Sequence, residues 1–416
     1  MNHITADQQA PRRSFASSII NRGGAALLAL GIPLLTFSKD AFLRSAQNLT
    51  GLSDFGDFFS EGGLQILLRS LEREGNLTLL GRRGIKRDCI RLLSNNLRIT
   101  NDLKRYPEIQ DVPVRKPLFI TGFPRTGTTF LHNLLACDPR ARVPLMWELY
   151  LPSPPPTSKT RKNDPRIEVA RKRVERLHKI APHLALVHPL DPEGPDECFH
   201  LFKNSFMSPA FLLMANVGEY IEWLYAQDMM PAYRYYRRQL QLLQWRYPGE
   251  YWILKSPSHL PFLDSLLTIF PDARIIQTHR DPLKVVPSFC SLVLTGWQMS
   301  SDRIDVAQIG SQCVRTLKES VDRSIAIRKS TPKNQFFDLY YRNLVDDPIG
   351  TVRRIYQHFD LNFDAQMEKR MGRYLSKTQH IKGATHKYTL DSFGLNKRLV
   401  RQIFSGYIKN FSVKPE

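Results

Sequence analysis

PLFITGFPRTGTT, residues 117–129, is the stretch that decides how this chain is read. Pro117 to Thr121 is a short apolar run running into a glycine-containing loop, which predicts a buried parallel strand. Gly122-Phe-Pro-Arg-Thr-Gly127-Thr128-Thr129 then forms the loop, and Thr128 to Cys137 continues as a helix. Strand, glycine loop and helix in that order predict an anion site, because N–H groups of the turn and of the helix start converge on one spot. The loop departs from the nucleoside-triphosphatase pattern, which demands Lys and then Ser or Thr after the second glycine. Thr128 stands in the lysine position, and a cation comes earlier, as Arg125.

Outward from this loop, three further apolar runs read as strands: YWILK (251–255), RIIQT (274–278) and QFFDLY (335–340). Helical patterns lie at 260–269, 283–295, 306–329 and 347–359. Strands alternating with helices predict an α/β, P-loop-type three-layer fold around a central parallel sheet. Residues 41–110 read as a helical N-terminal extension, and 111–416 as the main domain. LPSPPPTS (151–158) is a Pro-rich surface loop. Lys159 to Lys179 is a basic insertion, helical after Asp164-Pro165 and read first as a solvated face.

The 416 residues carry a net charge of +20, which predicts attraction to something acidic: a nucleotide, a nucleic acid, a membrane surface or an anionic acceptor. No zinc-finger spacing, aromatic RNA-binding motif or helix-turn-helix signal supports a specific nucleic-acid partner. Five cysteines, none in a C-x-x-C pair, argue against a disulfide framework and a zinc site. Residues 1–40 form a basic and apolar segment. Arg12 and Arg13 precede the apolar run Gly24 to Phe37, which Pro33 interrupts and Lys39 closes. The run is shorter than the ~20 residues of a membrane span. A secretion signal and a helix packed on the domain or lying on a membrane both fit it, although no small-residue cleavage site follows.

The loop GFPRTGTT resembles the 5′-phosphosulfate loop of sulfotransferases that use 3′-phosphoadenosine 5′-phosphosulfate (PAPS), commonly Y-P-K-S-G-T-T, in a form like that of a bacterial-type branch. Arg125 falls on the family's loop lysine and Thr126 on its serine. Arg280-Asp-Pro-Leu-Lys-Val-Val-Pro-Ser288 resembles the family's 3′-phosphate motif, in which the arginine and the serine grip that phosphate. The resemblance implies PAPS as co-substrate without an obligatory metal. It places Gly122, Arg125, Thr126, Gly127, Thr128, Thr129, Arg280 and Ser288 on the donor, Tyr341 near the adenine, and Lys382, Gly383 and His386 over the nucleotide. It also implies an enzyme kept with its intracellular donor, in the cytoplasm or at the membrane surface.

Lys255-Ser-Pro-Ser-His259-Leu resembles the family's K-x-H-L-P element, which makes His259 the expected base and Lys255 a stabiliser of the leaving phosphate, although two more residues separate them than in the common form. Histidine titrates near neutral pH, which suits proton removal. Asp191-Pro-Glu193-Gly-Pro-Asp196-Glu197 offers a rival base, Glu197. The acceptor is a hydroxyl or amine, with a tilt toward a hydrophobic molecule from the apolar amino terminus and FMSPAFLLMANV (206–217). A P-loop nucleotide or small-molecule kinase is the enzyme alternative, and a non-catalytic anion- or membrane-surface binder the other. The first would need the loop lysine. The second has no reason to keep Arg125, Arg280, Ser288 and His259 together.

Overall fold

The computed structural model of the chain describes residues 15–30, 35–182, 190–378 and 388–416. Its centre is a five-stranded parallel sheet of β1 (Leu118–Gly122), β2 (Ala141–Arg142), β3 (Tyr251–Lys255), β4 (Arg274–His279) and β5 (Phe336–Tyr340), in the order β2-β3-β1-β4-β5. β1 is the middle strand, in register with β3 at Ile120↔Lys255 and with β4 at Gly122↔Thr278. The strand ends that carry the recognised motifs therefore lie side by side along one edge, where parallel sheets place their sites. β2 has only two residues, too short to leave a hydrophobic pattern in the sequence.

The strands are apolar on both faces because both faces are covered. Phe119, Trp252, Leu254 and Ile275 enter one core, and Leu118, Ile120, Ile253 and Ile276 enter the other. The first core also contains Leu64, Leu67, Cys89, Leu93 and Leu97, from helices Glu61–Arg73 and Leu79–Arg105. The N-terminal extension thus shares an apolar layer with the sheet. The second core is closed by helices Thr128–Leu135, Pro348–His358 and Ala365–Thr378.

Local chemistry explains where helices begin. Asp164, Asp281 and Asp347 each cap a helix whose first residue is proline. Their carboxylates accept free N–H groups at the start, and proline there forfeits a donor the helix does not use. In the basic helix Pro165–Ile180, Arg171, Lys172, Arg176 and Lys179 are exposed, whereas Ile167 and Ala170 are buried and Arg173 turns inward. Helix Phe15–Ala29 rests on helix Leu79–Arg105, where the Leu80 amide donates to Asn21 at 3.2 Å. Among the described residues no helix is long and apolar enough to cross a membrane.

His259 belongs to this core. It sits in a 3-10 turn, Pro257–Phe262, that rotates the ring inward. It is 0% exposed, its Nδ1 lies 2.9 Å from the Tyr233 hydroxyl, and Phe119, Phe202 and Tyr236 surround the ring. Burial pushes its pKa down to about 3, and His132 is pushed down to about 3, first by burial and then by the charge of Lys255. A histidine whose pKa is lower folded than unfolded contributes stability that is complete above the unfolded value. That contribution is lost as pH falls from roughly 6.5 toward the folded value, at up to about 1.4 kcal/mol per pH unit for each ring, because the unfolded chain takes up the proton first. The denaturation midpoint of His259→Asn should therefore fall less than that of the parent chain between about pH 7 and about pH 5. Equal slopes in urea melts would place the ring in contact with water.

Candidate active site

The loop between β1 and helix Thr128–Leu135 is shaped by close backbone approaches. Gly122 has φ 134°, and a Cβ there would lie 2.4 Å from Thr278 Oγ1 and 2.5 Å from its carbonyl oxygen. Gly127 has φ 86° and caps the helix, where a Cβ would crowd Tyr341 and Leu344 at 3.2 Å. Arg125 also adopts the left-handed region, φ 69°, uncommon for a residue with a side chain. Thr126 Oγ1 is buried, donating to the Phe123 carbonyl at 2.6 Å or exchanging a hydrogen bond with Thr278 Oγ1 at 2.6 Å. Thr126 therefore holds the loop's shape from below. Thr128 is buried at the helix start and Thr129 follows it.

Both recognised motifs meet here. Arg125 Nε donates to Ser288 Oγ at 3.1 Å, and Arg280 Nη1 donates to the Arg125 carbonyl at 3.0 Å. The Arg280 guanidinium lies over the Tyr341 ring at 3.7 Å, and its Nε is 3.0 Å from the Glu416 carboxylate. Burial, and then the charge of Arg280, lower the pKa of Arg125. Two guanidiniums held this close, on a loop of convergent amides, form a site whose physics favours an anion. The residues fit a nucleotide with two separated anionic groups. Lys382, Gly383 and His386 lie outside the described residues.

Lys255, at the end of β3, is 2% exposed in its side chain. Its ammonium donates to Glu197 Oε1 at 2.6 Å and to Thr129 Oγ1 at 3.2 Å. It therefore bridges the phosphate loop and the acidic segment. Of that segment's other carboxylates, Glu193 pairs with Arg171 at 3.2 Å, and Asp196 lies 3.4 Å from His200. Glu197 is 12% exposed in its side chain and faces a cavity of about 250 Å³. Pro124 of the loop lines the same cavity, and Leu212, Phe289, Leu292, Met299 and Leu317 make its apolar wall. His259 does not line it. His259, the expected base, is turned into the core, and Glu197 lines the cavity together with Asp196.

Reasoning from sequence passed over several residues that build the site. Tyr407 donates to or accepts from His279 Nδ1 at 3.2 Å, and its hydroxyl receives the Arg280 amide at 3.3 Å. Asp338 holds His279 at 2.8 Å and takes both Nη atoms of Arg328 at 2.6 and 2.8 Å. These groups fix the backbone from which Arg280 projects. They are scattered through the chain, and no local spacing joins them.

Comparison with known proteins gives a consistent result. The chain matches the sulfotransferase family over residues 117–365. It is 26% identical over 287 residues to the omega-hydroxy-beta-dihydromenaquinone-9 sulfotransferase Stf3 of Mycobacterium bovis, covering 66% of this chain and 70% of that protein. Among solved structures it resembles the sulfotransferase STF1 of Mycobacterium tuberculosis H37Rv, with 33% identity and a TM-score of 0.80, covering 90% of this chain and 100% of that one. It also resembles the sulfotransferase STF9 of Mycobacterium avium, with 31% identity and a TM-score of 0.84, covering 91% and 97%. On the loop, the sheet and these matches together, the chain belongs to the sulfotransferase family.

Proposed function

We propose that this enzyme transfers the sulfuryl group of PAPS to a hydroxyl of a hydrophobic acceptor held in the apolar cavity, with Glu197 as the general base. The observation that carries this reading is the placement of Glu197. It faces the cavity beside Pro124 and is joined by Lys255 to Thr129 of the phosphate loop. Acceptor, base and leaving-group stabiliser thus meet at one point. The Stf3 relatives act, by their name, on a hydroxylated menaquinone, which supports an apolar acceptor.

In this reading the loop amides, Arg125, Thr128 and Thr129 hold the 5′-phosphosulfate, Arg280 and Ser288 hold the 3′-phosphate, and Tyr341 lies by the adenine. The acceptor oxygen attacks sulfur as the bond from sulfur to the bridging oxygen breaks. The acceptor's proton passes to the Glu197 carboxylate. The electron pair leaves with adenosine 3′,5′-bisphosphate, where Arg125 and Lys255 offset the growing charge. Transfer of this kind is loose and in-line, so positioning and charge do most of the catalysis.

Labelled-sulfate transfer from PAPS into a lipid extract tests the base. Glu197→Gln should slow transfer by ~10²–10⁴ and leave stabilisation by adenosine 3′,5′-bisphosphate intact. Arg125→Ala should slow it by ~10²–10³ for every acceptor. A folded His259→Asn variant that loses as much turnover, with Glu197→Gln still active, would return the base to histidine.

The 3′-phosphate grip has its own test. Arg280→Ala should weaken PAPS binding by ~1.5–3 kcal/mol and barely change binding of adenosine 5′-phosphosulfate, which lacks that phosphate. Equal losses for both would move Arg280 off the 3′-phosphate.

The amino-terminal helix suits contact with a membrane surface from the cytoplasmic side. Ile19, Ile20, Leu27 and Leu30 are exposed along it, with Arg22 among them, while Asn21 and Gly24 face the protein. Exposed aliphatics beside cations are the composition of an interfacial helix. Replacing Ile19, Ile20 and Leu27 with Ser spares the packed positions. It should reduce co-sedimentation with anionic vesicles and leave nucleotide binding unchanged. Undiminished sedimentation would remove the helix from this role.

A further inference from the structure

Two cations, Arg173 and Lys203, line the cavity along with the carboxylates Asp196 and Glu197. Arg91 and Arg173 lie 3.4 and 3.1 Å from Asp88, and both stack on the Tyr150 ring, at 4.1 and 4.5 Å. Lys203, at the end of helix Phe199–Lys203, joins the same field without a partner of its own. It is 7% exposed, and among the described residues no carboxylate lies within ion-pair distance of it. Its ammonium donates only to Met214 Sδ, at 3.3 Å, and rests over the Phe211 ring at 4.9 Å. Thioether sulfur is a weak acceptor. Burial pushes the Lys203 pKa down to about 8, opposed by Asp88, so the group still carries charge at neutral pH.

Arg91 and Arg173 thus share one carboxylate while Lys203 has none within ion-pair distance among the described residues, and Arg173 and Lys203 line the cavity. Burying an ammonium against a thioether and a ring does not replace its lost hydration; such groups are ordinarily paired with an anion. The donor's own phosphates do not account for it, since neither Arg125 nor Arg280 lines this cavity. Core packing does not account for it either, because a methionine or leucine would fill the position without the desolvation penalty.

We propose that this wall is an anion-recognition subsite: the acceptor carries, besides the hydroxyl that meets Glu197, a carboxylate that Lys203 and Arg173 hold. The assignment rests on the cavity being the acceptor site, as in the function proposed above. It makes the acceptor an amphipathic hydroxy acid, apolar through its middle and polar at two places. Lys203 and Arg173 would then set which part of the acceptor reaches the sulfur.

Titration calorimetry on the full chain saturated with adenosine 3′,5′-bisphosphate tests this, using an ω-hydroxy fatty acid and its methyl ester as probes. The acid should bind about tenfold or more tightly than the ester, the gain of a charge-assisted hydrogen bond. Lys203→Met should bring the acid down to the level of the ester, leave the ester unchanged, and keep nucleotide binding as proof of fold. Lys203→Arg should retain the preference. Equal binding of acid and ester by the parent chain overturns the subsite and leaves the cavity as an acceptor site. So does a preference that survives in a Lys203→Met, Arg173→Gln chain. Failure of both probes to bind overturns the cavity reading and the subsite with it.

Discussion

The site depends on how closely β1 approaches β4 at its end. Gly122 and Thr278 are paired in register, and only a residue without a Cβ fits against the threonine. From that contact Thr278 donates to the Thr121 carbonyl at 3.1 Å and shares a hydrogen bond with Thr126, so the strand beside the loop fixes the loop's floor. Two residues beyond Thr278 the chain delivers Arg280. The spacing of Arg125 and Arg280 is therefore set by sheet geometry rather than by flexible side chains, as a pre-organised site requires.

Such a site gathers like charges. Arg125, Arg280 and Lys255 would repel one another if left bare. Each is instead tied to a nearby acceptor: Arg125 to Ser288, Arg280 to the Arg125 carbonyl and the Glu416 carboxylate, Lys255 to Glu197. A part of the positive charge of a chain carrying +20 overall is thus gathered at a few points. In a cleft with low-dielectric walls, charges so placed attract anionic ligands more strongly than the same number spread over a surface.

The sheet was legible because its strands are short apolar runs bounded by turn residues, and four of them stand in the structure within one or two residues of the runs. The strand, loop and helix around Gly122–Thr129 were legible for a related reason: their residues are contiguous. The burial of His259 was not legible, because the strand ends at Lys255 and the following 3-10 turn, built on Pro257, points the ring inward; backbone rotation of that kind leaves no trace in a K-x-H-like spelling. Glu197 was one of four neighbouring carboxylates. What singles it out is Lys255, 58 residues away in the chain. The helix Met230–Gln244, with Tyr233 and Tyr236 packed around His259, escaped notice because its aromatic and basic residues mask an ordinary buried face.

Helix Pro282–Ser300 borders both the phosphate loop and the cavity. Its first third presents Ser288 to Arg125, and its remainder lays Phe289, Leu292, Gly296 and Met299 along the cavity. Gly296 lets it press against the chain opposite, where a Cβ would meet the Leu213 carbonyl at 2.0 Å, so the helix has little room to bend locally. In the proposed function, a shift of this helix that favours the nucleotide would alter the cavity it lines, and filling the cavity would act back on the nucleotide to the same extent, since thermodynamic linkage between two ligands is reciprocal. In the proposed function, the coupling between the two substrates would therefore be open to tuning by residues of this helix that touch neither.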